Sequence, residues 1–451
     1  MKKRTVTVLT WIGIGVAGLS FVYGAWYWTS YRALQREYEA LRAAGRPMSL
    51  EDIVPPYIPD TENAALLYRA ASLLLQAEPP VAWAECELPA DRPFASLFDQ
   101  LSRLATDLIE NPTNAVASAC IRQLLQHESV VAALDAVARG TQRPGHRSET
   151  DWSQGPVTLL PHLPDYRNLS RIMFVATRQQ AADGDPDAAW RTALVGLRFA
   201  DTLHSAPLII SMLVRVAQYG LANQAIRTVA EVSLPPEDIG TEIKRLLLAG
   251  ESQEPLARSM DGERLVSGEW GFNLPGSKLN ELAPVPRLAG IVFGRVFRPL
   301  LYRDHAAYLR IMRAYARNTM EPYSPNDEAL EKKLLDSVPR YGFLTGLLMP
   351  ALSAAKQRYT GTIAESRITR AGLAALRFRR KKGVFPPDLD ALGVPDLEDP
   401  FTGQPLKYLV ADTGFVIYSV GENLTDDGGL DTKQRNTGDI VWRYGEARKP
   451  E

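Results

Sequence analysis

The apolar positions of this chain change their spacing from region to region, and each spacing predicts a different element. Val6 to Trp28 is a run of 23 residues without a charge, preceded by Lys2-Lys3-Arg4. At 1.5 Å per residue it matches a hydrocarbon layer about 30 Å thick, so it predicts a transmembrane helix within residues 1–30. Trp26, Tyr27, Trp28 and Tyr31 stand where an interfacial aromatic belt belongs. Val22-Tyr23-Gly24 would pass as a cleavage site. The apolar part of a signal peptide is shorter, about 7–15 residues, so the segment is expected to be retained. Lys2-Lys3-Arg4 favours a cytoplasmic N-terminus, although Arg32, Arg36, Arg42 and Arg46 follow the span.

From Tyr31 the spacing becomes helical: Tyr31, Leu34, Tyr38 and Leu41 recur every three or four residues. This predicts a helical stalk over 31–46, ended by Pro47 and Pro55-Pro56. Helical patterns fill most of 47–340. The first starts at Asp60 or Thr61 and carries the stripe Ala64, Leu67, Ala71 and Leu74. Others are predicted over 94–109, 113–138, 165–182, 187–203, 207–231, 236–250 and 304–319. Asp183-Gly184-Asp185-Pro186 predicts a tight helical hairpin: Gly184 ends one helix, Asp185 caps the next and Pro186 opens it. The hairpin resembles one tetratricopeptide-type unit, but no regular repeat surrounds it. Residues 140–163 read as a long connection and 265–300 as an irregular apolar segment. Within the latter, Ile291 to Leu301 with Arg295 and Arg298 fits a buried helix with snorkelling arginines or a basic helix on a bilayer surface.

Tyr341 to Ala355 carries no charge but is too short for a second span. It is expected to begin a long helix, bent at Pro350, that reaches Lys382. After it the spacing drops to two. Leu406–Val410 and Phe415–Val420 read as strands joined by Ala411-Asp412-Thr413-Gly414, and Ile440–Arg443 as a third. The expected fold is therefore mainly α. It has a transmembrane anchor (1–30), a stalk (31–46), an irregular all-α helical-hairpin domain (47–340) and a small α+β unit with a short antiparallel sheet (341–451).

Composition narrows the function. Hydrophobic residues make up 45% and charged residues 23%, as in an ordered globular protein. The net charge of −1 supplies no basic field, so no nucleic-acid partner is expected. Cys86 and Cys120 fit no metal spacing. They are either one disulfide outside the cytoplasm or two small buried residues.

Candidate chemistry is sparse. Asn423, Asp426, Asp427, Asp431 and Asp439 surround Gly428-Gly429, and such a density of oxygen donors suits a hard cation such as Ca²⁺. The spacing is not that of an EF-hand. His127 and His204 read as ordinary helix residues, while His146 and His162 fall in the long connection; none forms a close metal pair. Ser353-Ala354-Ala355-Lys356 matches a Ser-x-x-Lys nucleophile motif, but the partner motifs are absent. Asp261 and Glu263 near Trp270 could form a carboxylate pair, though surface acids are the commoner explanation. The basic run Arg377, Arg379, Arg380, Lys381 and Lys382 complements a helix C-terminus.

The tail carries an ordered series of motifs. Arg379-Arg380-Lys381-Lys382-Gly383 leads to Phe385-Pro386-Pro387-Asp388-Leu389. Asp399-Pro400-Phe401-Thr402-Gly403-Gln404-Pro405-Leu406-Lys407-Tyr408 follows, then Tyr418-Ser419-Val420-Gly421 and the acidic loop. This last fifth of the chain resembles the globular half of the major pseudopilin of type II secretion systems. The resemblance implies a pseudopilin-like α+β tail and calcium bound after Tyr-Ser-x-Gly. Asp426, Asp427 and Asp431 would be side-chain ligands, with Asn423 or Asp439 auxiliary. The family usually has Asp where Asn423 stands. The chain lacks the prepilin-peptidase junction, so pilin-type processing is not expected. The whole chain also resembles membrane-anchored helical proteins of planctomycete-type bacteria, through Asp60-Thr61-Glu62-Asn63-Ala64-Ala65, Asp183 to Ala189, Gly262-Glu263-Arg264 and the tail. That resemblance implies no activity. Together these features predict a non-catalytic envelope scaffold or interaction module of the bacterial inner membrane. It would be single-pass, with its bulk on the periplasmic side, and its partners would be the bilayer and another envelope protein. The alternative is an envelope hydrolase with a cleft in the helical domain.

Overall fold

The computed structural model describes residues 2–82, 93–275, 295–340, 342–349, 352–411, 413–430 and 438–445. The protein is mainly helical, with one small antiparallel sheet near the C-terminus. Helix α1 (Lys2–Ala43) is continuous over 42 residues, so the expected span and stalk form one rod. Its two halves differ. From Thr10 to Thr29 every side chain is exposed except the half-buried Trp26. From Ser30 onward it packs on the body, with Leu34 and Leu41 buried. Among the described residues no helix is long and apolar enough to cross a membrane. The side chains of residues 2–9, where the expected span begins, lie outside the description.

The body begins with α2 (Ala64–Ala77), α3 (Leu97–Glu110), α4 (Ala115–Leu124) and α5 (Glu128–Gly140). Two boundaries differ from expectation. The cap of α2 is Asn63 rather than Asp60 or Thr61. Its Oδ1 accepts from Ala65 N at 3.1 Å and from Arg147 N at 2.9 Å, so a distant loop helps choose the start. The expected helix 113–138 is two helices, because His127 caps α5 by accepting from Ser129 N at 3.3 Å.

Helices α6 (His162–Ala182) and α7 (Pro186–Asp201) form the expected hairpin. Gly184 adopts φ 82°, which suits glycine, and Asp185 accepts from Ala188 N at 2.9 Å. Next come α8 (Ile209–Ala230), α9 (Glu237–Gly250) and α10 (Glu254–Gly262). The segment expected to be irregular from 265 instead continues α10 through a π-helical turn, Glu263–Glu269, and a last turn, Trp270–Asn273. Prolines and glycines concentrated after Asn273 hide this helix from its sequence. Ile291–Gly294 of the basic segment lie outside the described residues; Arg295 and Arg298 are exposed.

Four further helices follow: α11 (Arg298–Asn318), α12 (Asp327–Asp336), α13 (Phe343–Leu348) and α14 (Leu352–Lys382). Pro350, the expected bend, lies outside the described residues. Strands β1 (Lys407–Val410), β2 (Phe415–Ser419) and β3 (Ile440–Tyr444) lie side by side, antiparallel. Tyr408 faces Ile417, which faces Trp442. The Trp442 ring seats directly on Gly372 of α14, where a Cβ would stand 2.0 Å from Cζ3. One buried cluster therefore runs from Tyr68, Trp190 and Ile226 through Ile368 and Leu376 to Phe415 and Trp442. A second, containing Leu34, Leu41, Met212, Leu309 and Tyr359, holds the inner half of α1.

Candidate functional site

The acidic loop after β2 keeps its oxygens largely for its own chain. Asp426 Oδ1 accepts from Tyr418 OH at 3.0 Å and Gly428 N at 3.1 Å. Its Oδ2 lies 3.2 Å from Lys407 Nζ. The Gly428 N–H holds this carboxyl below its usual range. Asp439 is buried and accepts from Gly429 N at 2.6 Å and Asp427 N at 3.4 Å; burial pushes its carboxyl up. Asn423 Nδ2 donates to Asp427 at 2.9 Å. Four of the five expected ligands, Asn423, Asp426, Asp427 and Asp439, therefore share one loop. Asp431 lies outside the described residues. Among the described residues no group of three or more His, Cys, Asp or Glu is placed to hold a metal ion. As it stands, the described donor set is turned toward backbone N–H groups and a lysine.

Asp399 organises the tail more than the acidic loop does. It is buried, and Oδ1 accepts from Phe401 N and Ser419 Oγ, both at 2.9 Å. Its Oδ2 accepts from Val420 N at 2.9 Å. The Asp-Pro-Phe-Thr-Gly motif is thus a clasp joining the loop before β1 to the end of β2.

A cavity of about 1060 Å³ opens between α2, the end of α5, α7, α9 and α10. Asp201, Glu242, Glu254, His146 and His204 all line it. Most are already engaged. Asp201 Oδ1 accepts from Arg215 Nη2 at 3.0 Å and Tyr219 OH at 2.9 Å. Glu242 pairs with Arg245 at 2.8 Å and Arg198 at 3.5 Å, and the Arg245 hydrogen bonds hold it low. His204 Nδ1 sits 2.8 Å from Asp201 O, in a short turn rather than an ordinary helix. His146 Nε2 lies 2.8 Å from Tyr166 OH; burial, then His162, pushes its pKa down to about 3. Burial pushes His162, the first residue of α6, down to about 4. Both imidazoles are neutral at pH 7. A smaller groove of about 420 Å³, with an apolar wall of Leu125, Val131, Leu134, Met173 and Val195, lies between α5, α6 and α7.

Two sequence candidates prove structural. Asp261 pairs with Arg46 at 2.6 Å and Arg264 at 3.5 Å, while Glu263 accepts from Ile209 N at 3.1 Å and caps α8. Asp261 is buried and Glu263 half-buried, so they are not surface acids or a free pair; desolvation pushes both carboxyls up. Lys356 of the Ser-x-x-Lys match is buried and pairs with Asp327 at 2.8 Å. A third polar cluster left no mark in the sequence. Tyr38 OH donates to Glu269 Oε2 at 2.8 Å, and His305 Nε2 lies 3.5 Å from the same oxygen. Phe272 stacks on His305 at 4.2 Å. Positions 38, 269 and 305 have no common motif, so only packing brings them together.

No family model matches this chain, and neither a curated protein nor a solved structure matches it.

Proposed function

We propose that this chain is a non-catalytic scaffold or interaction module of the bacterial envelope, anchored by α1 in the inner membrane with its bulk on the periplasmic side. One observation carries the reading. Trp11, Ile12, Ile14, Val16, Leu19, Phe21 and Val22 are all more than half exposed, with Leu19 at 73% and Phe21 at 78%. A helix that is apolar all round needs an apolar surrounding, and nothing in the described body covers this one. The inner half of the same helix is fixed to the body. Glu37 meets Arg310 at 3.3 Å and Arg313 at 2.9 Å, and Arg46, just past the helix end, meets Asp261. An anchor continuous with the core would hold the body at a set distance from the bilayer. The disulfide at Cys120 suits an oxidising compartment; Cys86 lies outside the described residues. A role in secretion or envelope assembly rests on the tail's resemblance alone.

Calcium at the acidic loop belongs to the same proposal. It requires Lys407 and the Asn423 amide to release their carboxylates. A hydrolase is the second reading, favoured by the acids and histidines around the 1060 Å³ cleft. The test is fractionation of cells producing the full chain, then alkaline carbonate extraction and cross-linking in intact cells. The expected result is a carbonate-resistant protein whose body is digested when protease reaches the periplasm, with a recurrent cross-linked partner. Recovery in the carbonate wash overturns the anchor. Substrate turnover abolished by Glu254→Gln overturns the scaffold in favour of the hydrolase.

A further inference from the structure

A groove of about 900 Å³ runs along the seam where α6, α8 and α14 meet β3. Five arginines line it, Arg167, Arg171, Arg227, Arg358 and Arg443, against three carboxylates, Glu365, Glu422 and Asp439. Their states differ. Arg227 is structural: it donates to Thr369 Oγ1 at 3.0 Å and Glu365 O at 2.8 Å. Arg443 donates to Gly429 O. Asp439 is held by the two backbone N–H groups described above. Among the described residues, Arg167 and Arg358 make no side-chain hydrogen bond or ion pair, and both are exposed. Among the described residues Arg171 hydrogen-bonds the neutral Asn168 Oδ1, at 3.1 Å, with the Glu110 charge nearby. Elsewhere Arg46, Arg215, Arg264, Arg310, Arg313, Arg367 and Arg370 meet carboxylates, while Arg178, Arg258 and Arg303 meet backbone or hydroxyl oxygens.

Two further features show a shortage of acceptors. Burial and the neighbouring Arg167 charge lower the Arg171 pKa more than Glu110 restores it. Trp442 also lines the groove; it is 3% exposed, and its indole N–H has no partner among the described residues. Gln224 and Gln357 add amide groups to the wall. Guanidinium groups match phosphate and carboxylate oxygens with paired donors. A volume of this size lies within the roughly 300–1,000 Å³ range of small-ligand sites.

We infer that this groove binds a multivalent oxyanion of metabolite size, a phosphate or carboxylate compound, held between Arg167 and Arg171 of α6 and Arg358 of α14. The site is independent of the bilayer reading, since none of its residues lies on α1. A bound anion would bridge the helical body and the helix that carries the sheet, so occupancy would stiffen that seam.

The test is calorimetric titration of the full chain in detergent with pyrophosphate and with citrate, against chloride at matched ionic strength. The expected result is saturable binding of at least one of the two anions. Pyrophosphate alone assigns a phosphate ligand, citrate alone a carboxylate ligand, and both the shared chemistry. Combining Arg167→Ala with Arg358→Ala should weaken binding by roughly tenfold or more. Both positions are exposed, so the fold should survive, as a thermal melt without ligand would verify. Arg139→Ala, which removes an exposed arginine paired with Asp135 outside the groove, should leave binding unchanged. Heats no larger than those of chloride, or equal affinity in the double variant, overturn the site. Saturable binding of poly-glutamate but of neither small anion overturns the metabolite in favour of an acidic protein segment.

Discussion

The helical body and the tail bury charge in opposite ways. In the body, buried charges mostly meet other side chains. Arg215 reaches Asp201, Tyr219 and Tyr359; Arg370 and Arg367 share Glu251; Arg46 and Arg264 share Asp261. In the tail, buried carboxylates meet mainly backbone. Asp399 takes Phe401 N and Val420 N, and Asp439 takes Gly429 N and Asp427 N. The difference follows from what each backbone leaves over. A helix satisfies its own N–H groups beyond the first turn, so a charge inside a bundle meets a side chain unless it reaches a helix start, as Glu263 does at Ile209 and Asp304 at Leu344 and Thr345. A three-stranded sheet with long connections leaves loop N–H groups unpaired, and a carboxylate collects several at once.

Removing one charge from the body should give the largest effect. Asp261→Ala leaves Arg46 and Arg264 facing each other, and breaking a buried pair this way costs about 3–5 kcal/mol. Chemical denaturation of the full chain in detergent would measure it. A loss well under 1 kcal/mol would mean water already reaches the pair. Asp399→Ala tests the tail in the same way. It orphans two backbone N–H groups and a hydroxyl, for a loss of roughly 2–4 kcal/mol. Hydrogen exchange should show that loss first at β2; unchanged protection there would deny the clasp.

Acid should separate the two regions. His146 and His162 stay neutral in the fold down to about 3 and 4, while an unfolded histidine takes its proton near 6.5. Between these values the unfolded chain binds more protons, so body stability falls as pH drops from about 6.5. At pH 5 each histidine contributes at most about 2 kcal/mol to that loss. The tail's Asp426 is shifted in the same direction, but from a carboxylate's lower starting value. Its contribution is present above the ordinary carboxylate value and is lost only as pH falls through its lowered folded value. Exchange of α6 peptides, corrected for intrinsic rate, should therefore rise at pH 5 before that of β2. His146→Gln should flatten the α6 response. Simultaneous loss in both regions would show that the shared core makes them one cooperative unit.

The smallest expected effect is calcium. If the acidic loop rearranges to bind it with a Kd of roughly 10⁻⁴–10⁻³ M, millimolar calcium stabilises the chain by about 1 kcal/mol. Replacing Asp426 and Asp427 with Asn should remove the shift. Equal melting midpoints with calcium, magnesium and chelator would leave a loop closed by Lys407 and its own backbone.

Local signals suffice where an element depends on them alone. The Asp183–Pro186 hairpin, the three strands and most helices of 94–250 need only periodicity, a cap and a turn. The elements that differ from expectation depend on a distant partner. Asn63 starts α2 because Arg147 shares its oxygen, and α10 runs on past Gly262 because Glu263 is fixed by Ile209. The acidic loop was legible as a cluster. Which way its oxygens point was not, because Lys407 and Tyr418 lie on strands whose register had first to form. Asp399 was visible as part of a motif, but its role required Ser419 and Val420 to arrive beside it.

By itself the sequence determined the order of elements, the mainly helical class with a late sheet, and a long uncharged N-terminal segment. These follow from local periodicity and from charges a few residues apart. Tertiary structure alone decided that the uncharged N-terminal segment and the charged stretch after it are one helix, that α14 belongs equally to the body and the sheet, and which acids are committed. It also decided that Arg167, Arg171 and Arg358 face a common groove while Asp261 gathers Arg46 and Arg264. The physical reason is range. Helix and strand preferences act over a few residues, whereas desolvation and ion pairing depend on which chemically similar side chains packing brings within about 4 Å.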